Sequence, residues 1–238
     1  MLRRIEKRSA LEKTRKVRQR CSEVFRYATI TGRAEYNPEP GLAVALAVPN
    51  QKNHPYLSAD ELHHFVRDLD AYTGSIVTKN ATKVVMLTGV RTQEMRFATW
   101  DEVDLERCIW QIPADRMKMR RPHNLPLSRQ VIHLFNHLKP ITGNYPFIFI
   151  GRNNRSKPIS KESVSQFIEL LSYKGRATGH GFRHTMSTVL HEAGFNSTWI
   201  EVQLAHVDKN IIRGTYNHAQ YLDNRRKMLQ YYSDKFSS

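Results

Sequence analysis

The chain has 238 residues and carries 37 Lys and Arg against 22 Asp and Glu, a formal surplus of +15; folding does not need such an excess, and it points to a polyanionic partner. The longest small-and-apolar run, residues 41–48, falls far short of the ~20 residues that cross a bilayer, and the first twenty residues hold no apolar stretch of signal-peptide length. Cys21 and Cys108 have no paired spacing, so they form neither a disulfide framework nor a zinc site, which suits a reducing cytoplasm.

In chain order, the first element is a helix over about 10–28. Val17, Cys21, Val24, Phe25 and Ala28 fall on one stripe of it, and Lys13, Lys16 and Arg20 on another. The basic stripe is a candidate phosphate contact, because residues 1–50 hold 11 Lys and Arg against 5 Glu; the plainer reading is a solvated face. No basic helix has an aromatic apolar face to insert into lipid, so nucleic acid is favoured over a membrane surface. A short helical piece follows Asn37-Pro38, and the polar, Pro-containing stretch from Pro49 to Pro55 reads as a linker. Ser58-x-x-Glu61 is a capping box that opens a new helix. A helical piece over 1–50, a linker over 51–56 and a compact domain over 57–238 are therefore expected. Two helices in about fifty residues are too little to enclose a core alone.

Within the larger domain, the spacing predicts helices over about 58–70 and 75–88 and a third opening after the Thr88-Gly89 turn. Val103–Ile112 reads as a strand that pairs, through a turn near Pro113-Asp115, with a second over Lys118–Leu127; Pro146–Ile150 reads as a short apolar strand. Helices follow at about 128–139, 160–172, 181–193, 197–205 and 219–232, the last with Leu222, Leu229, Tyr232 and Phe236 on a core-like stripe. The class is mainly α with a small antiparallel β-sheet (α+β).

The sequence contains no HExxH, no CxxC pair and no Walker glycine loop. His180 with His184, and His133 with His137, are spaced i, i+4 but have no third ligand nearby, so neither a metal nor a phosphate-bearing cofactor is expected. The remaining chemistry lies in an ordered set of basic groups and a tyrosine. Arg91 sits at a helix start in Thr88-Gly89-Val90-Arg91; Lys118 lies on the expected hairpin beside Arg120 and Arg121; His180-Gly181-Phe182-Arg183 places His and Arg at i, i+3; Leu204-Ala205-His206 and Tyr216 complete the series.

This set, in this order, resembles the tyrosine recombinases (phage integrases), and most closely the integrases of satellite phages and genomic islands. The resemblance runs over essentially the whole chain. It implies the tyrosine recombinase catalytic-domain fold and a site-specific recombinase that cleaves and rejoins DNA through a 3′-phosphotyrosine, integrating or excising a mobile element. It also implies that residues 1–50 are the end of a core-binding domain whose earlier part is missing. Partners implied are double-stranded DNA attachment sites, further copies forming a homotetramer on DNA, an excision factor and a DNA-bending host protein, all in the cytoplasm at the nucleoid. The C-terminal stripe either completes the core or docks on a neighbouring copy.

The chemistry agrees with these residue types. Guanidinium stays charged and binds phosphate oxygens bidentately, which suits Arg91 and Arg183 as the phosphate clamp. Ionising a free phenol at pH 7 costs roughly 4 kcal/mol, so the Tyr216 nucleophile needs nearby positive charge and a base, for which His180 is the candidate. Lys118 would protonate the leaving 5′ oxygen and His206 would bond a non-bridging oxygen. Tyr221 is the competing nucleophile, and Glu94 reads as a structural partner for a basic neighbour. Two rivals share part of this reading: a type IB topoisomerase-like activity that relaxes strands, and a truncated, non-catalytic DNA-binding remnant.

Overall fold

Residues 1–47, 54–117, 120–206 and 221–237 are described by the computed structural model, and the chain divides into two units, Met1–Asn53 and His54–Ser238. In the first unit, α1 (Leu2–Glu6) and α3 (Glu39–Ala45) pack on α2 (Leu11–Ile30). Their ties fall on the i, i+4, i+8 face of α2 made by Thr14, Arg18 and Ser22. Thr14 and Ser22 are buried, Arg18 pairs with Glu39 at 3.0 Å, and Asn37 Nδ2 donates to Ser22 Oγ at 3.3 Å. The neighbouring apolar stripe is left open, with Val24 67% and Phe25 39% exposed. Two helices of five and seven residues cannot cover two faces of a twenty-residue one, and hydrogen bonding selected the polar face. Of the expected linker, 51–53 lie outside the described residues, and His54–Tyr56 are neither helix nor strand.

The second unit opens with α4 (Ala59–Ala71). Its capping box forms as the sequence suggested: Ser58 Oγ accepts from the Glu61 N–H at 3.3 Å, and Glu61 Oε2 accepts from the Ser58 N–H at 3.0 Å. Helix α5 (Ile76–Thr88) is buried along most of its length and forms the centre on which α7 (Arg129–Thr142), α8 (Ser163–Leu170) and α9 (Gly181–Glu192) pack. Phe65 and Leu69 of α4, Val84 and Val85 of α5, Phe135 of α7, and Phe182 and Met186 of α9 make one contiguous core with Trp110 and Phe149. Between α5 and α7 come α6 (Thr92–Arg96) and, among the described residues, a three-stranded antiparallel sheet in the order β1 (Val103–Asp104), β2 (Ile109–Ile112), β3 (His123–Pro126). The chain is thus mostly helical with a small antiparallel sheet.

Three elements differ from the sequence reading. The single strand expected over Val103–Ile112 is a hairpin: Asp104 Oδ1 accepts from the Arg107 N–H at 2.8 Å and Cys108 takes φ +55°, which turns the chain so that Val103 faces Trp110. The strand expected over Lys118–Leu127 is described only as β3, since Lys118 and Met119 lie outside the described residues. Pro146–Ile150 makes no strand. Ile148 and Phe149 are fully buried, but this segment joins Ala98 through the Ile148 N–H and meets Pro158 only in an isolated bridge at Ile150, flanked by the Gly151 N–H donating to the Lys157 carbonyl and the Ile159 N–H donating to the Phe149 carbonyl; a single bridge is too short to count as a strand. The last two helices are α10 (Ser197–Gln203) and α11 (Leu222–Lys235). Leu229 and Tyr232 of α11, and Phe236 just after it, are buried in the unit's own core, so the C-terminal stripe is core here.

Candidate active site

The turn that ends α5 organises the site. Gly89 caps the helix at φ +68°, a left-handed conformation that favours glycine. A Cβ there would meet Leu204 Cδ2 and Met186 Sδ at 2.8 Å each, so both conformation and space require glycine. Two residues on, Arg91 is the N-cap of α6. The buried Glu94 carboxylate accepts from the Arg91 backbone N–H at 2.8 Å and from its Nη1 at 2.6 Å. Backbone and guanidinium are therefore fixed by one acid, the structural role read for Glu94. Arg91 Nη2 also reaches the Ala205 carbonyl at 3.4 Å.

Arg183, in the first turn of α9, is buried to 3% exposure. Its Nη1 donates to the Gly89 carbonyl and its Nη2 to the Leu204 carbonyl at 2.6 Å. Burial, and then the neighbouring Arg91 charge, lower its proton affinity to a pKa of about 10, with Glu94 and Glu201 acting the other way. It remains a cation at neutral pH. Among the described residues no carboxylate pairs with it, and its Nε has no partner. A buried cation of this kind is costly unless an anion compensates it.

His180 is the N-cap of α9. Burial comes first, and then the charges of His54, Arg183, Arg91 and His206, in holding its pKa below the ordinary histidine value. Though exposed at the surface, an imidazole so placed favours its neutral form and is suited to accept a proton. His206 follows α10. Ala205 before it adopts φ +46°, which costs a residue with a side chain about 1 kcal/mol, and the turn presents the carbonyls of Leu204 and Ala205 to Arg183 and Arg91. His206 Nδ1 lies 2.9 Å from Glu201 Oε2, which orients the ring and leaves Nε2 for another partner.

Beneath this layer lies a buried polar chain the sequence did not single out. Gln203 Nε2 donates to the Thr88 carbonyl at 2.7 Å, and its Oε1 accepts from Arg225 Nε and Nη2 at 3.0 and 2.8 Å. Arg225, fully buried on α11, also donates from Nη1 to the Asn124 carbonyl at 3.0 Å. His123 on β3 sits beside it, with its pKa held down to about 3 by burial first and then by Arg225. In the sequence Arg225 is one of several charges on an amphipathic helix and carries no signal of burial.

The structure therefore brings Arg91, His180, Arg183 and His206 together around one turn. Lys118 and Tyr216 lie outside the described residues. Arg120 and Arg121 are exposed ahead of β3, Arg120 with φ +51°. Lys13, Lys16 and Arg20 are exposed on α2 in the first unit, and Arg20 pairs with Glu23 at 2.6 Å. Guanidinium and imidazole groups gathered around one turn, one of them a buried cation with no carboxylate paired to it among the described residues, have the chemistry to receive a tetrahedral oxyanion.

Comparison with known proteins gives the family. The phage integrase family matches residues 55–222, and the phage integrase central domain matches residues 1–45. The integrase of Shigella phage Sf6 and the prophage integrase IntS of Escherichia coli are each 47% identical over 235 residues, 98% of this chain. This chain spans 61% of the length of either relative. Among solved structures, the Tn1549 transposon integrase in complex with a circular intermediate DNA has a TM-score of 0.72 at 15% identity, covering 97% of this chain and 83% of that one. A lambda integrase dimer bound to a core site has 0.68 at 16%, covering 88% and 77%. At these identities the likeness is one of fold.

Proposed function

Because the chain belongs to the phage integrase family, the tyrosine recombinases, we propose that it is a site-specific DNA recombinase acting through a 3′-phosphotyrosine, and that it integrates or excises a mobile element. The observation that carries this reading is the buried Arg183 guanidinium, which has carbonyl partners but no carboxylate among the described residues and lies beside Arg91. A scissile phosphate supplies the missing negative charge.

In this reading Arg91 and Arg183 bind the non-bridging oxygens, and His206 adds a further hydrogen bond to them. The Tyr216 hydroxyl gives its proton to His180 as its oxygen attacks phosphorus. The phosphorus–O5′ bond breaks, and the departing 5′ oxygen takes a proton from Lys118. One phosphodiester is exchanged for a phosphotyrosyl diester, so the bond energy is retained and the reverse step needs no outside energy source. Residues 57–238 are the catalytic domain, and residues 1–50 belong to a helical domain that holds DNA. Lys13, Lys16, Arg20, Arg120 and Arg121 contact backbone phosphates. The acting species is a tetramer on two attachment sites, with an excision factor and a DNA-bending protein as accessory partners.

Covalent trapping tests this. Nicked duplexes bearing the element's junction sequences are incubated with wild type and with Tyr216→Phe and run on denaturing gels. A DNA-linked band is expected from wild type alone, with DNA binding retained by the variant. An equal band from Tyr216→Phe, or none from wild type that binds the DNA, would overturn the reading.

A further inference from the structure

The stretch His54–Leu57 lies along the first turns of α9 and touches it residue by residue. The His54 ring packs on His180 with centroids 4.7 Å apart, tilted by 58°. The Pro55 carbonyl accepts from Thr178 Oγ1 at 3.3 Å and fills the space a Cβ on Gly181 would occupy. The Tyr56 ring stacks on His184, 3.9 Å between centroids. The Leu57 carbonyl accepts from Thr185 Oγ1 at 2.6 Å, and the Leu57 side chain is buried in the core.

His180, Gly181, His184 and Thr185 are i, i+1, i+4 and i+5, one face of the helix. Sliding the strap by one residue would break every one of these contacts and drive the chain into Gly181. The strap thus has a single register, and that register puts an imidazole on an imidazole at the site.

We propose that His54 is a positioning residue for His180: its ring packs against one side of the imidazole, holds it at the head of α9, and thereby sets the acid limit of proton transfer at the site. The proposal rests on His180 being the base of the reaction described above. Four basic groups face His180: Arg183 on its own helix, Arg91 at the start of α6, His206 beyond α10, and His54 on the strap. The nearby carboxylates are engaged elsewhere, Glu94 with Arg91 and Glu201 with His206. Of these four, His54 packs its ring on His180 and lies outside the phosphate clamp. That packing keeps water from one side of the imidazole and places a basic group beside it, and both oppose protonation of His180. Removing His54 wets that side and takes the basic neighbour away, so His180 gains a proton at a higher pH and is lost as an acceptor there.

The test follows the His180 ring by NMR in the full chain, with carbon-13 in the histidine Cε1, for wild type, His54→Ala and His54→Phe. In His54→Ala the His180 midpoint should rise toward the ordinary histidine value. His54→Phe keeps a ring over His180 and should fall between the two. The acid limb of the covalent-cleavage profile on nicked duplex should move with the midpoint. An unmoved His180 midpoint in a folded His54→Ala protein, or a loss of rate at every pH with the acid limb in place, would overturn the proposal. Absence of covalent product from wild type would instead strike the reading of the active site, and the NMR comparison would still decide the role of His54.

Discussion

His123 makes the second unit acid-sensitive in a measurable way. In the folded chain its pKa is held down to about 3 by burial first and then by the Arg225 charge, partly offset by its hydrogen bond to the Gln203 backbone. In the unfolded chain it returns to about 6.5. A histidine depressed in the folded state stays neutral there while the unfolded chain takes up a proton, so stability is full above about pH 6.5 and is lost as pH falls toward 3. At pH 5, about 1.5 below the unfolded value, the loss is about 2 kcal/mol at ~1.4 kcal/mol per pH step, or about 4–8 °C in Tm for a unit of this size. The three tryptophans of the chain, Trp100, Trp110 and Trp199, all lie in the second unit, so their fluorescence reports its unfolding apart from the first. Urea unfolding is compared at pH 7.5 and pH 5 for wild type and His123→Gln, which cannot titrate. Other groups titrate in both proteins, His180 among them, so the difference between the two losses isolates His123. Wild type should lose about 2 kcal/mol more than the variant. Equal losses would show that His123 is solvated or already charged in the folded state, and the reasoning would fail.

Arg225→Met keeps the volume but strips the donors to Gln203 Oε1 and the Asn124 carbonyl; a fall in unfolding free energy of about 2–3 kcal/mol is expected in the same fluorescence assay, and unchanged stability would remove Arg225 as the tie between α11 and the turn. Arg183→Lys keeps a charge but cannot bridge the Gly89 and Leu204 carbonyls while offering a second donor to phosphate. At saturating DNA the rate of covalent product should fall by about 10²–10³, and a rate within tenfold of wild type would deny the clamp.

What the sequence disclosed, and what it hid, follows from where the constraints act. Ser58-x-x-Glu61 is local chemistry and formed as expected. Arg91 after Gly89, and His180 three residues before Arg183, are local patterns as well, and the fold brings them together with His206. The buried chain Thr88–Gln203–Arg225–His123 is assembled by tertiary packing, with Thr88 and Gln203 115 residues apart and Gln203 and Arg225 22 apart, and nothing near Arg225 or His123 in sequence distinguishes them from solvated charges. His54 was read as part of a polar linker because its partner is supplied by α9. Pro146–Ile150 failed for the opposite reason: an apolar run reports burial, and here the buried segment pairs with 157–159 through one bridge only, which gives a core loop rather than a strand. Lys118 and Tyr216, named from the ordered motif, lie outside the described residues.

The tie from Arg225 to Gln203 and on to the Thr88 carbonyl also has a meaning in the order of synthesis. Arg91, Arg183 and the turn that seats them leave the ribosome before α11 does. Until Arg225 emerges, Gln203 Oε1 is without its two guanidinium donors and the floor of the site is unfinished, so a nascent chain carries the charges of Arg91 and Arg183 before it has the rigid seat that holds them. The seating of Arg91 and Arg183 is thereby tied to the synthesis of Arg225 on α11, more than forty residues after the last of the two arginines it steadies.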